Sequence, residues 1–77
     1  MFINKKISVR IPVEKLSESY KLIKNYERSL GTDGRILVRY SGTENLLRVM
    51  VEGKEIKEIK AIAENIANSI EREIKIL

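Results

Sequence analysis

Apolar and polar residues alternate near the start of the chain and then change to a helical spacing. This alternation predicts a strand over Lys5–Ile11, with one face on the core and the other in water. Pro12 ends that strand, and the apolar residues between Val13 and Leu30 recur as they do on one side of a helix. The residues Gly-Thr-Asp-Gly at 31–34 then predict the end of this helix and a turn.

Two further strands and a second helix complete the pattern. The strands are predicted over Arg35–Tyr40 and Leu47–Glu52, and Gly53 breaks the later one. A long helix follows over Glu55–Ile74, whereas Lys75–Leu77 fits either a frayed helix end or a short strand. The order βαββα predicts an α+β fold, in which both helices cover one face of an antiparallel sheet and the other face is exposed or docked against something else.

The composition limits what the chain can do. Its 77 residues predict one small domain, residues 1–77, without repeats or linkers. Cysteine and histidine are absent, which removes disulfides, thiolate chemistry and the commonest general base and metal ligand. We therefore expect no catalytic residue in this chain and no activity from it alone. No apolar run is long enough for a secretory leader or a membrane span, so we expect an intracellular location.

The net charge of +4 favours an anionic partner, such as a nucleic acid, a membrane surface or a phosphorylated metabolite. The lysines of the helical segments alternate with glutamates, which is typical of a solvated face. The arginines, in contrast, gather around the residues that join the second and third strands.

The segment Arg39–Arg48 has the composition of a phosphate-binding loop. Guanidinium groups bind phosphate oxygens through paired donors, hydroxyls donate to the remaining oxygens, and glycine lets backbone N–H groups turn toward one anion. An ordinary hairpin loop, whose arginines point apart into water, accounts for the same residues.

The pairing of the two strands helps to decide between a phosphate-binding loop and an ordinary hairpin loop. If their apolar residues share one face, the register pairs Arg35 with Glu52, Ile36 with Val51, Leu37 with Met50, Val38 with Val49, Arg39 with Arg48 and Tyr40 with Leu47. Two arginines in directly opposed positions destabilise an empty hairpin by a few tenths to about 1 kcal/mol. A bound dianion would reverse the sign of that contribution.

The residues Gly34–Glu44 and Leu47–Gly53 together resemble the C-terminal domain of the α-D-phosphohexomutases, and within them most closely the bacterial phosphoglucosamine mutases. The motif Arg-x-Ser-Gly-Thr-Glu-x-x-x-Arg carries the resemblance, which extends over nearly the whole chain in order and length. It implies a fold similar to that of the TATA-binding protein and a loop that binds the phosphate of a phosphosugar. Carried over by position, the residues that hold the non-reacting phosphate are Arg39, Ser41, Gly42, Thr43 and Arg48.

Two more loop residues are expected to support this site. Glu44 would repel a phosphate unless it faces away or holds an arginine, and we expect it to hold an arginine. Asn45 stands where the family commonly has a proline, which would stiffen the turn by fixing φ. The difference bears on the rigidity of the loop rather than on its chemistry.

The resemblance implies that the complete enzyme interconverts glucosamine 6-phosphate and glucosamine 1-phosphate with magnesium, in the cytoplasm, where activated amino sugars for the cell wall are made. The metal and the phosphoserine belong to earlier domains, and the single aspartate here, Asp33, lies in a predicted turn. We expect this chain to bind no metal or cofactor, and to have the phosphosugar and the other domains of the enzyme as partners, with no nucleic acid and no membrane. A phosphomannomutase or phosphoglucomutase domain is the alternative within the family.

Two other classes of protein compete with this interpretation. A small basic nucleic-acid-binding module would use the open sheet face, but the predicted face carries no stacking aromatic, and Tyr40 falls on the core side. The Gly-x-x-Gly pattern at 31–34 joins a helix to a strand rather than two helices, and Asp33 would repel a backbone phosphate. A regulatory domain that senses a phosphometabolite or phosphopeptide would need no further domains.

Overall fold

The computed structural model describes residues 1–77. It contains three strands, two helices and two single-turn 3-10 helices. The strands are β1 (Phe2–Lys6), β2 (Arg35–Tyr40) and β3 (Leu46–Glu52), the helices are α1 (Ser17–Leu30) and α2 (Ile56–Ile76), and the 3-10 turns are Val13–Lys15 and Gly31–Asp33. This order confirms the predicted α+β fold with the succession βαββα.

The sheet is antiparallel and β3 is its central strand, with the order β1-β3-β2. The pairing of β2 with β3 confirms the predicted register over its whole length, from Arg35 opposite Glu52 to Tyr40 opposite Leu47. A slip of one residue would move every apolar side chain of a strand to the other face of the sheet, so the buried face excludes such a slip.

Both helices lie on one face of the sheet, as predicted. Helix α2 packs on β3 and β1, and α1 packs on β2 and against α2. The core between them is built from Leu47, Val49 and Val51 of β3 and from a stripe of isoleucines and alanines on α2. The opposite face of the sheet is left open. Neither helix combines the length and the apolar character that a helix needs to cross a membrane.

The predicted bounds of the first strand are wrong. The structure has β1 at Phe2–Lys6, and residues 7–11 lie outside the sheet. Lys6 pairs with Leu46, the first residue of β3, and beyond this point the partner strand has become a loop. The ladder therefore has no position for later residues, and Val9, expected on the core side, is 47% exposed.

The helix bounds differ less from the prediction. A 3-10 turn at Val13–Lys15 precedes α1, which begins only at Ser17. The helix ends as predicted, because Gly31 has a φ of 65°, in the left-handed region that glycine adopts without strain. Helix α2 continues to Ile76, so the last residues form no additional strand.

A buried polar contact joins the two helices. Leu16, at the N-cap of α1, has no side chain that could cap the first turn. Glu73 of α2 takes over this role, because its carboxylate accepts hydrogen bonds from the Ser19 N–H at 2.8 Å, the Ser19 hydroxyl at 2.6 Å and the Glu18 N–H at 3.3 Å. The buried Ser19 hydroxyl also lies 2.8 Å from the hydroxyl of Ser69.

Acidification is expected to destabilise the fold through Glu73. Burial raises the pKa of this carboxyl, but the hydrogen bonds from Ser19 and Glu18 outweigh it, so the net pKa lies below the ordinary value. Because the pKa is lower in the folded state, the stabilisation is complete above the unfolded-state pKa and is lost as the pH falls through the folded-state pKa. We expect Glu73→Gln to lower the free energy of unfolding by about 1–2 kcal/mol at neutral pH.

Urea unfolding at about pH 7 and about pH 3 measures this effect. The variant should lose less stability than the wild type on acidification, since it lacks the titrating group. Glu64→Gln, on an exposed position of the same helix, is the matched control. An equal acid-induced loss in Glu73→Gln and the wild type would contradict the prediction.

Candidate anion-binding site

The hairpin loop Ser41–Asn45 joins β2 to β3 and is closed by its own backbone. The Ser41 N–H donates to the Leu46 carbonyl at 2.9 Å, and the Leu46 N–H donates to the Glu44 carbonyl at 2.8 Å. The second bond spans two residues and makes a γ-turn centred on Asn45. Within the loop the Thr43 N–H donates weakly to the Ser41 hydroxyl oxygen, at 3.4 Å.

Arg39 and Arg48 lie directly opposite each other on the open face of the sheet, next to this loop. Both are exposed, and neither forms a salt bridge. Asn4 of β1 pairs with Arg48 from the other side, so these three residues form one row across the sheet. The row contributes to a shallow depression of about 190 Å³, which is lined by Phe2, Asn4, Leu37, Arg39, Arg48 and Met50.

The five residues expected to hold a phosphate therefore meet at one end of the hairpin. The two arginines stand on paired positions of β2 and β3, and Ser41, Gly42 and Thr43 follow directly after β2. The φ of Gly42 is not positive, and a Cβ at this position would meet no atom within 4 Å. Neither the backbone conformation nor packing within this chain requires a glycine there, and the open space lets another molecule approach the backbone.

The two supporting residues have different surroundings. Glu44 is exposed and forms no salt bridge, so the arginine partner expected for it is absent from the structure. Asn45 is held on two sides: its side-chain amide donates to the Ser8 carbonyl at 3.0 Å, and its backbone carbonyl accepts from the Ile7 N–H at 3.0 Å.

Sequence reasoning missed the residues just after β1, which form hydrogen bonds to the loop. We call Ile7–Ile11 the bracing segment, because it runs past the end of the hairpin and bonds to it. Within this segment, Arg10 Nη1 donates to the Ser41 carbonyl at 2.8 Å. No sequence signal marks this contact, since an arginine at a polar position of an alternating pattern fits a solvated strand face equally well.

Tyr40 ties the last residue of β2 to the same segment. Its hydroxyl donates to the Ile11 carbonyl, and its ring packs against the core, on the predicted side of the sheet. Burial raises the pKa of this hydroxyl, and nearby Glu14 adds to the shift. The hydroxyl therefore keeps its proton and remains a donor at neutral pH.

One expectation about the open face is wrong. The face was predicted to carry no aromatic residue, but β1 begins at Phe2, which lies opposite Met50 and is 75% exposed. The reason is the shifted strand: pairing of Phe2–Lys6 rather than of later residues brings Phe2 next to the row that contains Arg48.

The chain offers no ligand set for the magnesium that the resemblance implies for a complete enzyme. No three acidic side chains converge anywhere in the structure. The carboxylate of Asp33 instead pairs with Lys54 at 3.3 Å.

One family model and several proteins named phosphoglucosamine mutase are similar to this chain. Residues 3–69 match the family described as phosphoglucomutase/phosphomannomutase, C-terminal domain. The chain is 44% identical over 70 residues to the phosphoglucosamine mutase of Anaeromyxobacter sp. (strain Fw109-5), an alignment that covers 91% of this chain and 15% of the relative. For the phosphoglucosamine mutase of Chlamydia trachomatis serovar L2, the identity is 42% over 72 residues, with 94% and 16% covered. For that of Desulfovibrio desulfuricans, it is 41% over 73 residues, with 95% and 16% covered. The chain thus spans only 15–16% of the length of these relatives.

Proposed function

The chain belongs to the phosphoglucomutase/phosphomannomutase C-terminal domain family, and from this premise we propose that its hairpin loop binds the non-reacting phosphate of a phosphosugar. The enzyme we propose is a phosphoglucosamine mutase, a cytoplasmic isomerase that interconverts glucosamine 6-phosphate and glucosamine 1-phosphate. The names of the relatives support this substrate over mannose or glucose phosphates. The observation that carries the proposal is the opposed pair Arg39 and Arg48, which has no acidic partner.

The electrostatics of the arginine pair favour a dianion. Two guanidinium groups without counter-ions on paired strand positions repel each other, so the empty site is less favourable than an ordinary hairpin. A phosphate between them replaces the repulsion by two attractions and accepts paired N–H donors from each group. Hydrogen bonds of this kind to charged groups contribute about 1.5–3 kcal/mol each.

The loop supplies the remaining donors. The Ser41 hydroxyl accepts a weak bond from Thr43, so its own proton is free to be donated to a phosphate oxygen. The Thr43 N–H is held at 3.4 Å and can turn to a better acceptor at little loss. Gly42 leaves the space in front of the backbone open.

In the reaction, we assign positioning and charge neutralisation to this chain. A phosphosugar held by its non-reacting phosphate presents its other end to the reacting groups, which in our proposal lie on other domains of the same enzyme. The residues that bind the phosphate are Arg39, Ser41, Gly42, Thr43 and Arg48. None of them is a nucleophile or a general base here, so we propose that the chain alone is inactive.

A two-dimensional amide NMR titration of this chain with glucosamine 6-phosphate tests the proposal. We expect localised, saturable shifts at Ser41–Asn45 and Arg48, because these amides lie next to the proposed phosphate. Free glucosamine, which lacks the phosphate, should cause none of them. A short single-stranded RNA is the second control, since Phe2 and the arginine row could stack and pair with it. The proposal fails if glucosamine 6-phosphate leaves the loop unchanged, or if RNA alone gives saturable shifts across the open face.

A further inference from the structure

We propose that Arg10 is a positioning residue of the phosphate-binding loop, which acts by fixing the peptide between Ser41 and Gly42. The inference rests on the proposed function, since it assigns a role within the same site. It concerns a residue outside the motif, far away in sequence and adjacent in the fold.

Four hydrogen bonds join the bracing segment to the end of the hairpin. Two of them hold Asn45 at the β3 end of the loop. The Ile7 N–H donates to the Asn45 carbonyl, and the Asn45 side-chain amide donates to the Ser8 carbonyl. The other two hold the β2 end, where Arg10 binds the Ser41 carbonyl and the Tyr40 hydroxyl binds Ile11. The loop is therefore fastened at both ends, and only its tip, residues 42–44, has no bond to the segment.

The Ser41 carbonyl has one hydrogen-bond partner within the chain, Arg10. In a regular ladder it would accept the Leu46 N–H, but that donor is turned to the Glu44 carbonyl. Arg10 supplies the missing donor at 2.8 Å. Without it, the peptide between Ser41 and Gly42 would be free to rotate, because a glycine follows and places few restrictions on the backbone.

The orientation of that peptide decides where a donor points. In a trans peptide the C=O and N–H groups point in opposite directions, and the chain has no cis peptide. With the Ser41 carbonyl directed at Arg10, the Gly42 N–H is directed away from the bracing segment. This N–H forms no hydrogen bond within the chain, so it is an unpaired backbone donor at the tip of the loop. Arg10 thus pre-orients a backbone donor for the phosphate. At position 45, where the family commonly has a proline, the hydrogen bonds of Asn45 to Ile7 and Ser8 restrict the loop instead of a proline ring.

The test uses Arg10→Met, which keeps most of the side-chain stem and removes the donor, and Arg10→Lys, which keeps the charge and one donor group. Arg72→Met is the matched control, because Arg72 is an exposed arginine of α2 and its loss changes the net charge equally. Two quantities are measured: the ¹⁵N order parameters of residues 42–45 without ligand, and the Kd for glucosamine 6-phosphate from the amide titration. Urea unfolding of each variant confirms that it is folded.

In Arg10→Met we expect the order parameters of the loop to fall from about 0.85 to below about 0.6. The Kd should rise about three- to tenfold, because binding must now order the loop. Arg10→Lys should recover part of both losses, and Arg72→Met should show neither.

Two results would overturn the inference. One is an unchanged loop order in Arg10→Met, even with weaker binding, since that combination assigns Arg10 the role of a charge alone. The other is an equal loss of loop order in Arg72→Met. If the wild type itself does not bind glucosamine 6-phosphate, the proposed function fails, and the order parameters alone still decide whether Arg10 fixes the loop.

Discussion

Arg39→Ala is expected to weaken the binding of glucosamine 6-phosphate by about 10- to 150-fold, the equivalent of hydrogen bonds to a charged group worth about 1.5–3 kcal/mol. The same change should leave the fold intact, because Arg39 is exposed and forms no salt bridge. Without ligand, the variant should even gain a few tenths to about 1 kcal/mol in the free energy of unfolding, since the repulsion by Arg48 is removed. Opposite signs for binding and stability distinguish a binding residue from a structural one.

Isothermal titration calorimetry and urea unfolding measure the two quantities. Arg35→Ala is the matched control: it removes the same charge from the same strand and the same face, but from a position opposite Glu52. We expect this control to bind nearly as the wild type does, and to lose rather than gain stability. Wild-type affinity in Arg39→Ala, or an unfolded Arg39→Ala, would count against the arginine pair as the phosphate site.

Leu47→Ala is expected to have the largest effect on stability, a loss of about 2–5 kcal/mol in the free energy of unfolding. Leu47 is fully buried on the central strand, and its side chain belongs to the core between the sheet and α2. Such a loss is a large part of what a domain of this size has, so a substantial unfolded fraction is expected at 37 °C. Binding would then weaken through unfolding, although every residue of the site is still present.

Leu46→Ala is the control for this prediction, because the neighbouring residue points to the other face of β3 and is only half-buried. Its expected cost is below about 1 kcal/mol. Thermal and urea unfolding of both variants give the comparison. Equal losses for Leu46 and Leu47 would mean that the two faces of the sheet are not as distinct as the structure has them.

The elements that could be predicted from the sequence are those whose pattern is local or fixed by a buried face. The pairing of β2 with β3 followed from alternating apolar residues, since a slip of one residue would place Val38 and Val49 on opposite faces of the sheet. The turn glycine Gly31 and the amphipathic helices are local signals of the same kind. The residues expected at the phosphate are also close in sequence, so one motif contained them all.

What the sequence did not reveal depends on distant partners. The alternation over residues 5–11 is equally compatible with a strand and with an extended segment that binds a loop, and the end of β3 decides between them. Because β1 is Phe2–Lys6 and pairs Phe2 with Met50, Phe2 lies on the open face. The contacts of Arg10 with Ser41 and of Glu73 with Ser19 join residues that are 31 and 54 apart, beyond any local spacing rule.

The separation between the bracing segment and the hairpin also limits how the motif can be transferred. A peptide of residues 35–52 would carry the complete motif, but it would lack all four bonds to the bracing segment and the helices that cover its apolar face. An isolated two-stranded hairpin is marginally stable at best in water. The smallest part of the chain that could be transferred with the loop intact is therefore discontinuous in sequence. Grafting the loop into another protein requires an equivalent of residues 7–11 beside it.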